Sequence, residues 1–416
     1  MALVESNPIA TAEQHEVERQ ALQLVQHPLL RRTREEVRAR WLEAVTPNAE
    51  MRACFDAAFA EVMFGAAVWS LNQDPQHPKV VTISRLPHKL GDLDVPGSRW
   101  GLDNPDSIYR VIPIDGNRRY LIHGRVAERR LVENYFTLWD RKMNTVDVLS
   151  GHDLLLNPDR TFTISVDSDP PAGRPNHVRS NPQAHEFYIR DVILDWARDR
   201  PNVFRIEELD GPSNTPPRGT DAQAELTAQF MRTYADNTVR WNRQALEKPV
   251  NTFRFTIDRD TDGALRNQIY ILGHFHLGND EVLVLSVRTG GARYFVAPIT
   301  NLWGTTNDIV TRTGSLNLAQ SVANADGTYT YVVAVDDPGV HNWVDPCGMR
   351  TGILTLRWAE FPSGRPGPDV GVDSTVVSLG QLRKLLPPGS TWMTPAERGR
   401  QLAERARAYR WRLLDH

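Results

Sequence analysis

Residues 337–352, DPGVHNWVDPCGMRTG, set a titratable ring (His341), an amide (Asn342) and an indole (Trp343) side by side. The loop needs Pro338, Gly339, Asp345 and Pro346 to turn, but turning does not require those three. Imidazole titrates near neutrality, so His341 can serve as general acid or base, with Asp345 or Asp106 to orient it. GLDNPDSIYR (101–110) turns on Asp103, Asn104, Pro105 and Asp106, then enters a strand on which Tyr109 and Arg110 face opposite ways. YFVAPITNLWGTTND (294–308) ends a strand in Asn301 and Trp303. Arg110 or Asn301 could steady a developing oxyanion, while Asn104, Tyr109, His276, Trp303, Asn342 and Trp343 could line a substrate pocket. Each has a plainer reading. Turn chemistry accounts for Asn104 and Asp106, core packing for Trp303, and local backbone bonding for Asn342 and Asp345.

GHFHLGNDE (273–281) puts His274 and His276 on one face of a strand, as two ligands of one metal ion would stand. The string is similar to the first metal motif of cupins. However, Gln268 holds the leading glycine position and His341 is the only candidate third histidine. The expectation is therefore no tightly bound metal. A nucleophile elbow, a P-loop and a dinucleotide glycine fingerprint are all missing, so no nucleotide cofactor is expected.

The elements that must position these residues change along the chain. Residues 1–79 read as helices: a capped segment from Thr11, a second from Arg32 to Val45, and a third with Met51, Phe55, Phe59, Val62 and Ala66 on one stripe. Residues 80–211 read as period-two strands (VVTISRL, SIYRVIPI, RRYLIHGRV, NYFTLWDR, RTFTISVDS, HEFYIRDVILDW). Residues 212–250 form a Pro-rich linker, PSNTPPRGTDAQ, and a helix from Ala224 to Leu246. A second strand-rich block, 251–362, runs from TFRFTID to TGILTLRW, and 363–416 holds a loop and a helix capped at Thr394. The fold class expected is mainly β, two antiparallel β-sandwich or jelly-roll-like units with peripheral helices.

The chain has 416 residues, 40% apolar and 24% charged, with net charge −3, which gives no footprint for nucleic acid. The arginines after Trp392 alternate with Glu397, Glu404 and Asp415 and read as a solvated helix face. Two cysteines, Cys54 and Cys347, exclude a disulfide framework. No run is long and apolar enough to span a bilayer, and the expected location is the cytoplasm.

DNPDSIYRVIPIDGNRRYLIHGR, LGNDEVLVL, the YFVAPITNLWGTTND run and DPGVHNWVDPCGMRTGILTLRW, in this order, resemble the bacterial domain-of-unknown-function family twelve-fourteen, related to the twelve-fifty-four family. The likeness runs from about residue 80 to the end. It implies jelly-roll-like sandwiches with helical additions and no settled chemistry. The matching positions include Asn104, Asp106, Tyr109, Glu281, Asn301, Trp303, Asn342, Trp343 and Asp345. His341 stands where the family often has proline, as if this member had gained a titratable group. The functional expectation is an enzyme acting on a lipophilic small molecule (terpenoid, steroid or aromatic) by acid–base, non-redox chemistry as lyase, isomerase or hydrolase. The alternatives are a non-catalytic module that binds a ligand or carbohydrate, and a metal-dependent cupin-like enzyme.

Overall fold

Strands that alternate apolar and polar side chains need a second layer over the apolar face, and this chain builds that arrangement twice. The computed structural model describes residues 7–211, 216–254 and 268–414. In the first sandwich one sheet runs Val81–Thr82, Ser107–Pro113, Ala184–Val192, Glu133–Asp140, Thr145–Ser150. The other runs Val203–Glu208, Tyr120–Arg125, Thr161–Asp167, His177–Arg179. Ile112, Phe136, Phe187 and Ile189 from one sheet meet Ile122, Phe162, Ile164 and Phe204 from the other in a closed core.

The second sandwich repeats the scheme. Gln268–His276, Thr351–Ala359, Tyr294–Thr300 and Ser315–Asn317 form one sheet; Trp343–Val344, Tyr329–Val333, Glu281–Arg288 and Gly371–Ser378 form the other. Phe275, Phe295, Leu354 and Trp358 pack against Leu283, Leu285, Tyr331 and Val333. The pairing is antiparallel except at two short pairs, where His177–Arg179 and Trp343–Val344 run parallel to their neighbours. The architecture is thus mainly β with helices outside it.

Helices α1 (Ala12–Leu24), α2 (Pro28–Val45), α3 (Ala49–Ala53), α4 (Phe55–Leu71) and α5 (Thr220–Leu246) form a layer on the outer face of the first sandwich. Helices α6 (Leu379–Leu385) and α7 (Pro395–Tyr409) follow the second. No helix among the described residues is long and apolar enough to cross a membrane.

Several expectations need correction. The third helical stretch breaks at Cys54 into α3 and α4, and from Glu61 to Ser70 every residue of α4 is buried, so its apolar positions surround the helix rather than form a stripe. Thr11 caps α1 by accepting from the Gln14 N–H, but the Gln14 amide does not return to it. It clamps the sheet edge instead, accepting from the Thr82 N–H at 2.7 Å and donating to the Thr82 carbonyl at 3.1 Å. The helix placed at Ala224 starts at Thr220. Gly371–Ser378, assigned to a loop, is a strand of the second sandwich paired with Glu281–Arg288. Its centre is Asp373, Ser374 and Thr375 on a sheet edge, so it lacks an apolar alternation to read. The strands Thr145–Ser150 and Val203–Glu208, equally polar, were likewise unanticipated. Most of TFRFTID and residues 212–215 of the linker lie outside the described residues.

The helical layer meets the sheet through a buried carboxylate. Glu186 accepts from Trp69 Nε1 at 2.6 Å and from Gln73 Nε2 at 3.2 Å, and Gln73 Oε1 lies 3.1 Å from His185 Nε2. No cation pairs with Glu186 among the described residues, so burial pushes its pKa from 4.5 up to about 7. The folded state therefore holds the Glu186 proton more tightly than the unfolded chain does. Its contribution is complete below pH 4.5 and is lost as pH rises towards 7. His185, drawn down to about 4 by burial and Arg141, acts in the opposite sense over a similar window, so the two contributions oppose each other there. We predict that Glu186→Gln stabilises the protein by about 2–3 kcal/mol at pH 8 and by little at pH 4.5. Urea unfolding of both proteins at the two pH values measures this; an equal effect at both would refute it.

Candidate functional site: a cleft along the C-terminal helix

Helix α7 begins with a capping box: Thr394 accepts from the Glu397 N–H while the Glu397 carboxylate accepts from the Thr394 N–H at 2.8 Å. Seven residues make nearly two helical turns, so Arg398, Arg405 and Arg412, the last just past the helix, fall on one side. All three are buried. The expected solvated face is real for Arg400, Arg407 and Arg410 only. Arg398 pairs with Asp337 (3.0 and 3.2 Å), donates to the Val340 and His341 carbonyls, and lies over the Trp343 ring. Arg405 donates to the Ile309 carbonyl, and Arg412 to the Pro105 carbonyl at 2.6 Å. The three motif segments thus converge on one helix, and they also bond one another. The Asp103 carboxylate accepts from the Thr306 N–H and hydroxyl, both at 2.8 Å, and Asn307 Nδ2 donates to the Pro346 carbonyl.

They do not converge around one cavity. A cleft of about 720 Å³ lies between α7, the turn after Ala184–Val192, and the segment after Ser315–Asn317. His341, Gln401, Glu404, Arg405, Trp196 and Trp411 are among its walls. Gln401, Glu404, Arg405 and Ala408 fall at the three- and four-residue spacing of one helix face.

Asn342 decides the state of His341. Its Nδ2 donates to the carbonyls of Val322 (2.8 Å) and Thr330 (3.1 Å), so its Oδ1 must accept, from the Val322 N–H at 2.8 Å and from His341 Nδ1 at 3.1 Å. The proton of a neutral His341 ring therefore sits on Nδ1, and Nε2 carries the lone pair. Burial, aided by Arg398, holds the His341 pKa below its ordinary 6.5, so the ring is neutral and basic at pH 7.

Arg405 supplies the opposite charge. Its guanidinium lies 4.2 Å from the centre of the Trp196 ring and Nη1 donates to Gln320 Oε1 at 2.9 Å. Nη2 is buried without a hydrogen-bond partner, and no carboxylate among the described residues pairs with the group. Burial lowers its pKa to about 10, which still leaves it charged at neutrality.

The other expected site residues lie elsewhere. Asp345 does not orient His341: Arg312 holds it in a two-pronged pair (2.6 and 3.0 Å), and it accepts from the Cys347 N–H. Asp106 is fully buried behind Trp196, accepting from Trp196 Nε1 (2.7 Å), Tyr294 Oη (2.8 Å) and Asn317 Nδ2 (2.9 Å). Asn104 donates to the same Tyr294 hydroxyl at 2.8 Å. Arg110 is no oxyanion donor to the cleft; it pairs with Asp191 inside the first sandwich and lies over Phe204. Asn301 closes its own turn, accepting from the Trp303 N–H and donating to Thr305 Oγ1. Trp303 is core, 4.4 Å from Phe55 and bonded to the Met51 carbonyl. Trp343 is buried with its indole N–H on the Ala334 carbonyl. His274 Nδ1 bonds the Ala245 carbonyl and the exposed His276 bonds Thr351 Oγ1. No three His, Cys, Asp or Glu side chains gather among the described residues. Tyr109 faces a different cavity, described below.

Arg405, Gln401, Glu404, Trp196 and Trp411 escaped the sequence reading. The seven-residue spacing of the arginines was the available signal for a buried basic edge, and their charge concealed it.

No family model matches the chain, and no match to a curated protein was found. A solved structure of an uncharacterized protein from Burkholderia cenocepacia aligns over 87% of this chain and 100% of its own, with 24% identity and a TM-score of 0.73. The two share a fold. A structure from Vibrio parahaemolyticus covers 67% of this chain and 90% of its own at 12% identity, with a TM-score of 0.42.

We predict that Asp106→Ala costs at least about 3 kcal/mol, because it strands three buried donors. Asp106→Asn should cost less. Chemical denaturation measures both; a loss in Asp106→Ala below about 1 kcal/mol would be inconsistent with these three bonds holding the buried carboxylate.

Proposed function

We propose that the cleft along α7 is the active site of an acid–base enzyme that acts on a lipophilic small molecule without a nucleotide cofactor. The observation that carries this reading is the Nδ1–H tautomer that Asn342 imposes on His341, which leaves Nε2 unprotonated on a ring that lines the same cleft as Arg405. A base needs a proton to take and a place for the electrons to go. In the proposed step His341 Nε2 takes a proton from carbon beside a substrate carbonyl. The C–H electron pair forms the carbon–carbon double bond of an enolate while the carbonyl π pair moves onto oxygen, and the guanidinium of Arg405 stabilises the resulting oxyanion. Trp411, Leu194 and Leu316 offer the apolar body a surface, and a cleft of 720 Å³ falls within the size range of small-molecule sites. Isomerisation and elimination both follow from that first step. Membership of the twelve-fourteen family remains a proposal beside this one and adds no chemistry to it.

The test is exchange and turnover of a panel of cyclic ketones and hydroxy-ketones in D₂O, followed by mass spectrometry. His341→Gln should lower the rate at least about a hundredfold with the melting temperature unchanged. The lowered pKa means the base is lost only in acid: the rate should rise with pH through a midpoint below 6.5 and be level at neutrality. Arg405→Met should lower turnover more than binding. If folded His341→Gln retains full activity on a substrate of this protein, the acid–base role is wrong, and a ligand-binding module is the reading that stands.

A further inference from the structure

A second cavity, of about 210 Å³, lies where the helical layer, the first sandwich and the second sandwich meet. Its walls are aromatic. Trp100 stacks on Tyr234 from α5 with ring centres 3.8 Å apart, and Trp241 approaches Trp100 at 5.0 Å. Trp139 stacks on Tyr188 at 4.0 Å, and Tyr109 lies 5.7 Å from Tyr188. These strand residues are on the outer face of the first sandwich, where polar residues are the default. Met143, 42% exposed, stands at the rim.

One charged side chain enters this cage from the second sandwich. Arg357 donates through Nη2 to the Leu102 carbonyl and is hydrogen-bonded to Tyr109. Its Nε is buried with no hydrogen-bond partner. Its neighbour Arg190 pairs with Glu133 at 2.6 Å, whereas no carboxylate among the described residues pairs with Arg357. Asp103 also lines the cavity, but Thr306 engages both its oxygens.

An aromatic cage alone would suit a quaternary ammonium ion. A guanidinium in the cage reverses that preference and calls for an anion. The size limits the rest: a cavity of about 150 Å³ holds benzene, so this one accommodates a single ring with a small substituent and excludes a steroid. We propose that this cavity is a second ligand site, for a one-ring aromatic carboxylate, with the ring between the aromatic walls and the carboxylate on Arg357. The proposal is independent of the acid–base reading of the α7 cleft.

The test is calorimetric titration of the full chain with benzoate, followed also by tryptophan fluorescence, with benzyl alcohol and choline as controls. Benzoate should bind one per chain and quench the fluorescence, and benzyl alcohol should bind at least about tenfold more weakly. Arg357→Met should weaken benzoate by about tenfold or more and leave benzyl alcohol nearly unchanged. Ser84→Phe, at a half-exposed lining position, should block both ligands by filling the cavity. If Arg357→Met does not fold, Ser84→Phe together with weaker benzoate binding at high salt decides the matter. No benzoate binding up to about 10 mM, a range weaker than typical small-ligand recognition, would overturn the proposal. Binding unchanged in both variants, or choline bound in preference, would overturn it as well.

Discussion

The carboxylate of Asp106 is the group on which the assembly of the two sandwiches depends. It is fully buried, and desolvation raises its pKa against the pull of its donors. Those donors come from different places: Trp196 from the turn after Ala184–Val192, Tyr294 and Asn317 from two strands of the second sandwich. A buried charge tolerates only one arrangement of such partners, because each lost bond leaves a desolvated group behind. These bonds tie the turn after Ala184–Val192 and two strands of the second sandwich to one point. Asp106 also holds Trp196, whose ring faces Arg405 on one side and Arg412 on another. The Asp106 carboxylate also favours the charged forms of these two buried guanidinium groups through space, without touching them.

Helix α7 uses that arrangement. Its buried arginines reach the 337–343 loop, the Ile309 carbonyl and the Pro105 turn in succession. Arg398 is structural in an ordinary sense, with donors satisfied by carbonyls and by Asp337, whereas Arg412 leaves Nε and Nη2 without a hydrogen-bond partner. Arg405 likewise keeps an unpaired N–H, and of the three it is the one that lines the cleft. Arg357 shows the same departure at the junction of the three layers, where its neighbour Arg190 has Glu133 as a carboxylate partner. Arg85 with Glu18 and Arg99 with Glu61 are buried cations matched to carboxylates, whereas Arg405 and Arg357 have no such partner among the described residues and adjoin cavities.

Much of the fold could be read along the chain. Alternation in SIYRVIPI, RRYLIHGRV and EVLVLSVR marks strands with one apolar face, and the Thr394–Glu397 pair marks the start of α7, because both signals are local. Polar edge strands such as Gly371–Ser378 left no such trace. The candidate site was legible in one respect: His341 is more than a turn requires. Its partner was not, because Asn342, Asp345 and Asp106 are all polar residues near it in motif order, and sequence distance does not say which side chain bonds the ring.

By its own pattern, then, the sequence determined the sandwiches, the helical additions and the placing of a titratable group on a loop. Tertiary structure alone decided that Asn342 sets the His341 tautomer, that Asp345 belongs to Arg312 and Arg110 to Asp191, and that Trp303 and Trp343 are core. The reason is physical. Periodicity and capping are properties of neighbours along the chain, whereas the partner of a buried polar group is whichever group the packing of distant layers brings within about 3 Å.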